Sequence, residues 1–113
     1  MLRKLWSFIR APFAPVYRIS RVSEKPECMN NRTIYLIGED GAFWAAVFVC
    51  PCGCRAEVWL NLLKHKDRPT WTIEAGKGAK AHITPSVWRQ VGCKSHFFIK
   101  RGRLIWAKLH RTD

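Results

Sequence analysis

The feature that most constrains this chain is a group of three cysteines within five residues, Cys-Pro-Cys-Gly-Cys at positions 50–54. A fourth cysteine, Cys93, opens a second short cluster that also contains His96. Tetrahedral zinc takes four thiolate or imidazole ligands, and Pro and Gly between thiols bend the backbone toward one ion. The spacing differs from the usual Cys-x-x-Cys turn, but the clustering predicts a structural zinc site.

Two ligand sets are compatible with this pattern. If the four clustered thiols bind the zinc, the site is closed and His96 is left free as a base. If His96 is a ligand, one thiol is left over instead. We expect the all-thiolate set: Cys50, Cys52, Cys54 and Cys93. The fifth cysteine, Cys28, is expected to be a free thiol.

The cysteine pattern also bears on the cellular compartment. An odd count of five and a spacing of one residue do not suit a disulfide framework, and they favour a reducing compartment. Arg10 interrupts the apolar N-terminus too early for a signal peptide. The longest uncharged run, residues 41–54, is shorter than the roughly 18 residues of a membrane span. We therefore expect a soluble, cytoplasmic protein without a transmembrane segment.

Size and charge restrict the classes of partner. A chain of 113 residues is one domain by size, and a bound metal would contribute to its folding. The net charge of +12 favours encounters with acidic molecules, such as nucleic acid, anionic lipid or an acidic protein. Six Trp and six Phe are enough to fill a modest core.

The N-terminal part differs from the rest of the chain. Apolar residues within 1–10 share one face of a helical wheel, with basic residues opposite, and Pro12 ends this short amphipathic stretch. We expect a helix docked on its own domain or a frayed terminus; the alternative is attachment of residues 1–13 to a membrane surface or of this helix to a partner groove. Residues 14–32 are predicted to be a linker, so the expected domains are an N-terminal segment, 1–32, and a zinc-containing β domain, 33–113.

From residue 33 onward the pattern is mostly β. Asp40 and Gly41 supply the tight reversal of a first hairpin, and Gly-containing turns punctuate two further ones. Thr84 as a cap and Pro85 at the first helical position predict a short helix over residues 84–91. The expected fold is mainly β (α+β), a small zinc-stabilised antiparallel sheet of hairpins with one short helix. The predicted strands are residues 33–37, 43–49, 56–60, 71–75, 80–83, 97–100 and 104–108.

Near the second cluster, His96 and a serine could carry out acyl transfer. Ser95 adjoins His96, so in an extended segment the two side chains point to opposite faces and would need a turn to meet. Ser86, at the start of the predicted helix, would lie among free backbone N–H groups that can stabilise an oxyanion. The alternatives are an ordinary helix-start serine and a histidine that binds zinc or packs in the core.

Several motifs in order resemble one known family. They are Tyr-Leu-Ile-Gly-Glu-Asp-Gly at 35–41, the cysteine turn at 50–54, Pro-Ser at 85–86, Gly-Cys-Lys-Ser-His-Phe-Phe-Ile at 92–99 and Gly-Arg-Leu-Ile-Trp at 102–106. Together, over about residues 33–107, they resemble the BubE family of small bacterial zinc-containing domains, encoded with ubiquitin-like conjugation (Bub) systems.

The resemblance implies a serine-type peptidase that processes or removes a bacterial ubiquitin-like protein. It makes Ser86 and His96 catalytic and the cysteines structural. Spacing identifies no acidic third member among Glu39, Glu57, Asp67 and Glu74. The rival hypothesis, supported by charge and aromatic content, is a non-catalytic zinc-ribbon-like module that binds nucleic acid or an acidic protein. It predicts exposed aromatic side chains beside Lys and Arg.

Overall fold

The computed structural model describes residues 16–107 and is mainly β. In this part of the chain, eight strands form two four-stranded sheets, ordered β1-β2-β3-β4 and β5-β6-β7-β8. Strands β1 and β2 are parallel, and the other neighbouring strands are antiparallel. The strands are β1 (Arg18–Val22), β2 (Thr33–Glu39), β3 (Ala42–Val49), β4 (Glu57–Asn61), β5 (Thr72–Ala75), β6 (Ala81–Trp88), β7 (His96–Lys100) and β8 (Arg103–Trp106).

The first predicted hairpin is confirmed as β2 and β3. Asp40 and Gly41 both have positive φ, as a tight reversal between twisted strands requires. The register shifts just before Gly38, where the two strands approach so closely that a Cβ would overlap the carbonyl oxygen of Ala42. This close approach explains why a glycine follows the apolar run of β2.

The two sheets pack face to face around the larger of two apolar clusters, and the smaller one contains Tyr35, Ile37 and Val47. Inward positions alternate along the strands, as on β6, where Ala81, Ile83 and Val87 are buried. The fully buried rings of Phe48 and Phe97, one from each sheet, meet edge to face with centroids 6.2 Å apart. These contacts fix the distance between the sheets.

Main-chain hydrogen bonds join the sheets at both edges. Trp71 N, just before β5, donates to the carbonyl oxygen of Asn61, at the end of β4, at 2.9 Å. At the other edge Tyr17 N donates to Gly102 O at 2.8 Å, and Ala81 N donates to Tyr17 O at 3.0 Å. These bonds connect the second sheet, β5–β8, to the first.

Two expectations about local structure are wrong. Residues 84–91 do not form a helix, because β6 continues through a bulge between Ile83 and Val87 and pairs Val87 with Phe97 of β7. The Thr84–Pro85 peptide bond in this bulge is cis. The expected linker contains β1, whose Ile19 packs in the core. The only helical element within residues 16–107 is a 3₁₀ turn, Lys77–Ala79, between β5 and β6.

The predicted amphipathic stretch, with its membrane-surface alternative, lies outside the described residues. Within residues 16–107, no helix has the length and apolar character needed to cross a membrane.

Candidate active site and metal centre

Two loops from different sheets bring the clustered cysteines together. The turn at residues 50–54 connects β3 to β4 and is closed by Cys50 N, which donates to Ala56 O at 2.8 Å. Cys93 lies in the loop between β6 and β7, which is closed by Arg89 N donating to Ser95 O at 2.8 Å. A group bound between these loops would therefore cross-link the two sheets.

The cysteine geometry fits a tetrahedral metal site. The four Sγ atoms, of Cys50, Cys52, Cys54 and Cys93, all lie within 4.8 Å of one another. Cys50 Sγ is 3.6 Å from both Cys52 Sγ and Cys93 Sγ. Zinc–sulfur bonds of about 2.3 Å in a tetrahedron place the sulfurs about 3.8 Å apart. These separations are far longer than the roughly 2.05 Å of a disulfide. All five cysteines, including the exposed Cys28, are free.

The electrostatics of this cluster are uneven. Burial raises the pKa of the Cys50 thiol to about 11, whereas the hydrogen bond with the Ser95 hydroxyl lowers the pKa of the Cys93 thiol to about 6. Arg89 Nη1 donates to Cys93 Sγ at 3.3 Å and to Cys54 Sγ at 3.5 Å. A metal ion binding here would displace the Cys50 proton, and the Arg89 guanidinium would offset part of the thiolate charge.

Beside this cluster, Ser86 and His96 meet on the outer face of the second sheet. Ser86 Oγ lies 2.9 Å from His96 Nε2, a hydrogen-bond distance. The sheet produces this contact because Trp88 of β6 is directly opposite His96 of β7, and Ser86 precedes Trp88 by two positions on the same face. The carbonyl oxygen of Ser86 accepts a hydrogen bond from Trp71 Nε1 at 3.1 Å.

Two aromatic rings lie beside the His96 imidazole. The Trp88 ring stacks on it with centroids 4.7 Å apart and planes 7° from parallel, and the Phe98 ring lies at 5.9 Å. Within residues 16–107, no carboxylate forms a hydrogen bond with His96. Glu57, one of the acidic residues considered as a third triad member, instead accepts a hydrogen bond from Lys25 Nζ at Oε2, at 2.6 Å. Apart from the Ser86 hydroxyl, the described partners of the imidazole are therefore the two aromatic rings.

The other sequence-predicted site features lie elsewhere. Ser95 Oγ is 3.1 Å from Cys93 Sγ, so this hydroxyl contacts the cysteine cluster. His96 is outside the set of four clustered ligand atoms. Ser86 is not at a helix start, because residues 81–88 form a strand, so the expected amides of a helical first turn are absent there.

Sequence patterns alone did not identify three residues that contact this region: Trp71, Trp88 and Arg89. Trp71 and Arg89 reach the site through side-chain hydrogen bonds and Trp88 through strand pairing, and single-sequence patterns do not reveal these contacts. The sequence did contain a signal for Trp88. If residues 84–91 are taken as a strand, Trp88 lies two positions after Ser86, so the two side chains are on the same face of the sheet.

Comparison with known proteins identifies the family. No significant match was found among curated proteins or among solved structures. Residues 21–107 match the family model described as bacterial ubiquitination-like system serine protease (BubE). The match begins within β1, earlier than the motifs alone indicated, and includes all four clustered cysteines and the Ser86/His96 pair. The chain therefore belongs to the BubE family of bacterial ubiquitination-like system serine proteases.

Proposed function

We propose that this chain is a serine-type peptidase that cleaves a bacterial ubiquitin-like protein after its C-terminal tail, from a precursor or from a conjugate. The observation that carries the proposal is the 2.9 Å contact between Ser86 Oγ and His96 Nε2. A nucleophile within hydrogen-bond reach of a base is the minimal requirement for covalent acyl transfer. Membership of a serine protease family supports the same reaction class.

In the proposed reaction, neutral His96 accepts the Ser86 proton at Nε2 as Ser86 Oγ attacks the scissile carbonyl carbon. The imidazolium then donates this proton to the leaving group, which departs and leaves an acyl ester on Ser86. Water activated by His96 hydrolyses the ester and restores the free serine. The Trp88 ring, stacked on the imidazole, stabilises the positive charge that His96 carries between these steps.

Zinc is the metal that this donor set suits best, and we assign it a structural role. When bound, a closed four-thiolate zinc supplies folding free energy and has no open position for substrate. The four cysteines would hold it between the β3–β4 and β6–β7 loops. Because β6 carries Ser86 and β7 carries His96, anchoring the loop between them keeps the pair in register.

The charge of the chain suits an acidic protein partner. A net charge of +12 accelerates encounter with a negatively charged surface and favours its docking. Within the bacterial ubiquitination-like system that the family serves, the partner is the ubiquitin-like protein or its conjugates.

The proposal is tested by cleavage of a fusion between the ubiquitin-like protein of such a system and a reporter domain. Ser86→Ala should lower the cleavage rate by at least about a thousandfold, because the nucleophile is removed. Ser95→Ala is the matched control and should retain cleavage, with metal content measured in all three proteins. Equal rates for wild type and Ser86→Ala would eliminate Ser86 as the nucleophile.

A further inference from the structure

A cavity of about 570 Å³ lies between two turns at one end of the second sheet. One turn connects β5 to β6 and the other connects β7 to β8, whereas the loop that carries Cys93 is at the opposite end of β6 and β7. The residues that line the cavity include neither a clustered cysteine nor the Ser86/His96 pair. The cavity is therefore a separate site.

Main-chain hydrogen bonds hold the β7–β8 turn against the start of β6. Arg101 N donates to His82 Nδ1 at 3.3 Å, and Gly102 N donates to Ala81 O at 2.6 Å. A Cβ added to Gly102 would lie 3.3 Å from Lys80 Cβ, so the main chain of this turn packs against the stem of Lys80. The basic side chains of the two turns therefore stand on one fixed frame.

The lining of the cavity is mostly cationic. It contains three cations, Lys77, Lys80 and Arg101, and one carboxylate, Glu74. Within residues 16–107, none of these four side chains forms an ion pair. The positive charges are therefore not neutralised by a neighbouring carboxylate.

The half-buried His82 adds a neutral donor to this lining. Because its Nδ1 accepts a hydrogen bond from Arg101 N, the proton of the neutral ring is on Nε2. A guanidinium, two ammonium groups and an imidazole N–H together can donate to several oxygens of one anion. A phosphate group has three terminal oxygens and nearly two negative charges, so it matches this set better than a carboxylate does.

The shape of the site and its one carboxylate restrict the ligand further. A cavity of about 570 Å³ is within the roughly 300–1,000 Å³ of small-molecule sites, whereas single-stranded nucleic acid is bound along extended basic grooves. Glu74 would repel the phosphate itself, but its carboxylate can accept hydrogen bonds from hydroxyl groups beside the phosphate.

We propose that this cavity binds a small phosphorylated molecule of the sugar phosphate class. Lys77, Lys80, Arg101 and His82 Nε2 bind the phosphate group, and Glu74 accepts a hydrogen bond from a hydroxyl of the sugar. The inference does not depend on the proposed peptidase activity.

The first test is isothermal titration calorimetry at physiological salt with ribose 5-phosphate, inorganic phosphate and acetate. Both phosphates should bind at one site and acetate should not. Arg101→Gln should weaken phosphate binding about tenfold or more, because a charge-assisted hydrogen bond is lost. Arg68→Gln is the matched control, because it removes the same charge from an exposed position in the β4–β5 loop, and it should bind as wild type.

Three results of this titration would overturn the inference. They are the absence of saturable phosphate binding, equal weakening by Arg101→Gln and Arg68→Gln, and acetate binding as tight as phosphate binding. A single-stranded oligonucleotide that binds more tightly than ribose 5-phosphate, and is released by Arg101→Gln, would assign the cavity to nucleic acid instead.

The second test distinguishes a sugar phosphate from the bare anion. Wild type should bind ribose 5-phosphate about tenfold more tightly than inorganic phosphate, because of the added hydrogen bond to a charged acceptor. Glu74→Ala should bind inorganic phosphate more tightly than wild type, because it removes the one negative charge of the lining, and it should lose the preference for the sugar. Equal affinities in wild type, or a preference that persists in Glu74→Ala, would contradict the role of Glu74.

Discussion

Ser86 Oγ lies 2.9 Å from His96 Nε2, and the two residues stand on neighbouring strands joined by the loop that carries Cys93. Ser95, the residue before His96, holds the Cys93 thiol at 3.1 Å. The proposed catalytic pair and the cysteine cluster therefore share one hairpin. Loss of a metal bound to the cluster should therefore disturb the Ser86/His96 pair, and this coupling is measurable.

We expect one zinc per chain in protein purified without chelator, measured by native mass spectrometry. Cys93→Ser should lower the free energy of unfolding by more than about 4 kcal/mol, because a structural ligand contributes folding energy. Cys28→Ser, at an exposed free thiol, is the control and should change stability by less than about 0.5 kcal/mol. A metal-free sample that is fully folded would contradict the structural role of the cluster.

Replacing Trp88 tests the role of stacking on His96. Trp88→Ala should lower kcat about tenfold, because the imidazolium loses the aromatic face that stabilises it. Trp88→Phe should recover most of this loss, and thermal unfolding should show that both variants are folded. If kcat is unchanged in Trp88→Ala and only KM rises, the ring contributes to substrate binding and does not position the histidine.

Two glycines of the β2–β3 hairpin should respond differently to alanine. Gly38→Ala should destabilise the fold by about 2 kcal/mol or more, because the added Cβ would overlap main-chain atoms of Ala42 and Phe43. Gly41→Ala meets open space and should cost about 1 kcal/mol, the strain of its positive φ. Urea unfolding of the two variants checks the order, and a reversed order would contradict the close strand approach.

Local signals predicted most strands but failed where pairing decides structure. The turn at Asp40 and Gly41 placed β2 and β3 correctly, because these residues fix the reversal on their own. Thr84 and Pro85 are as compatible with the start of a helix as with a bulge in a strand. Only the pairing of Val87 with Phe97, across the sheet, selects the strand.

The candidate site also has one part that the sequence predicts and one part that depends on strand pairing. The four-cysteine cluster could be anticipated from composition and spacing, because thiols so closely placed have few other uses. The approach of Ser86 to His96 depends on sheet register, which spacing along the chain does not encode. Stacking of Trp88 on His96 follows from that same register.

The nucleic-acid hypothesis makes a separate prediction about salt. Phe98 and Lys100 do lie together on the second sheet, with the ammonium 4.9 Å from the ring centroid. If the charge serves protein docking, binding to single- or double-stranded DNA should be detectable only at low salt and lost near physiological ionic strength. Fluorescence anisotropy across a salt series measures this. Strong binding that persists at physiological salt would favour the nucleic-acid module.

The most direct measurement is covalent labelling of the nucleophile. A fluorophosphonate probe reacts with serines that a neighbouring base activates, and peptide mass mapping locates the modified residue. We predict a single adduct on Ser86 in the zinc-loaded protein, and loss of that adduct in His96→Gln, with Ser95→Ala labelled as wild type. No adduct, an adduct on Ser95, or equal labelling of Ser86 in His96→Gln would contradict a Ser86/His96 catalytic pair.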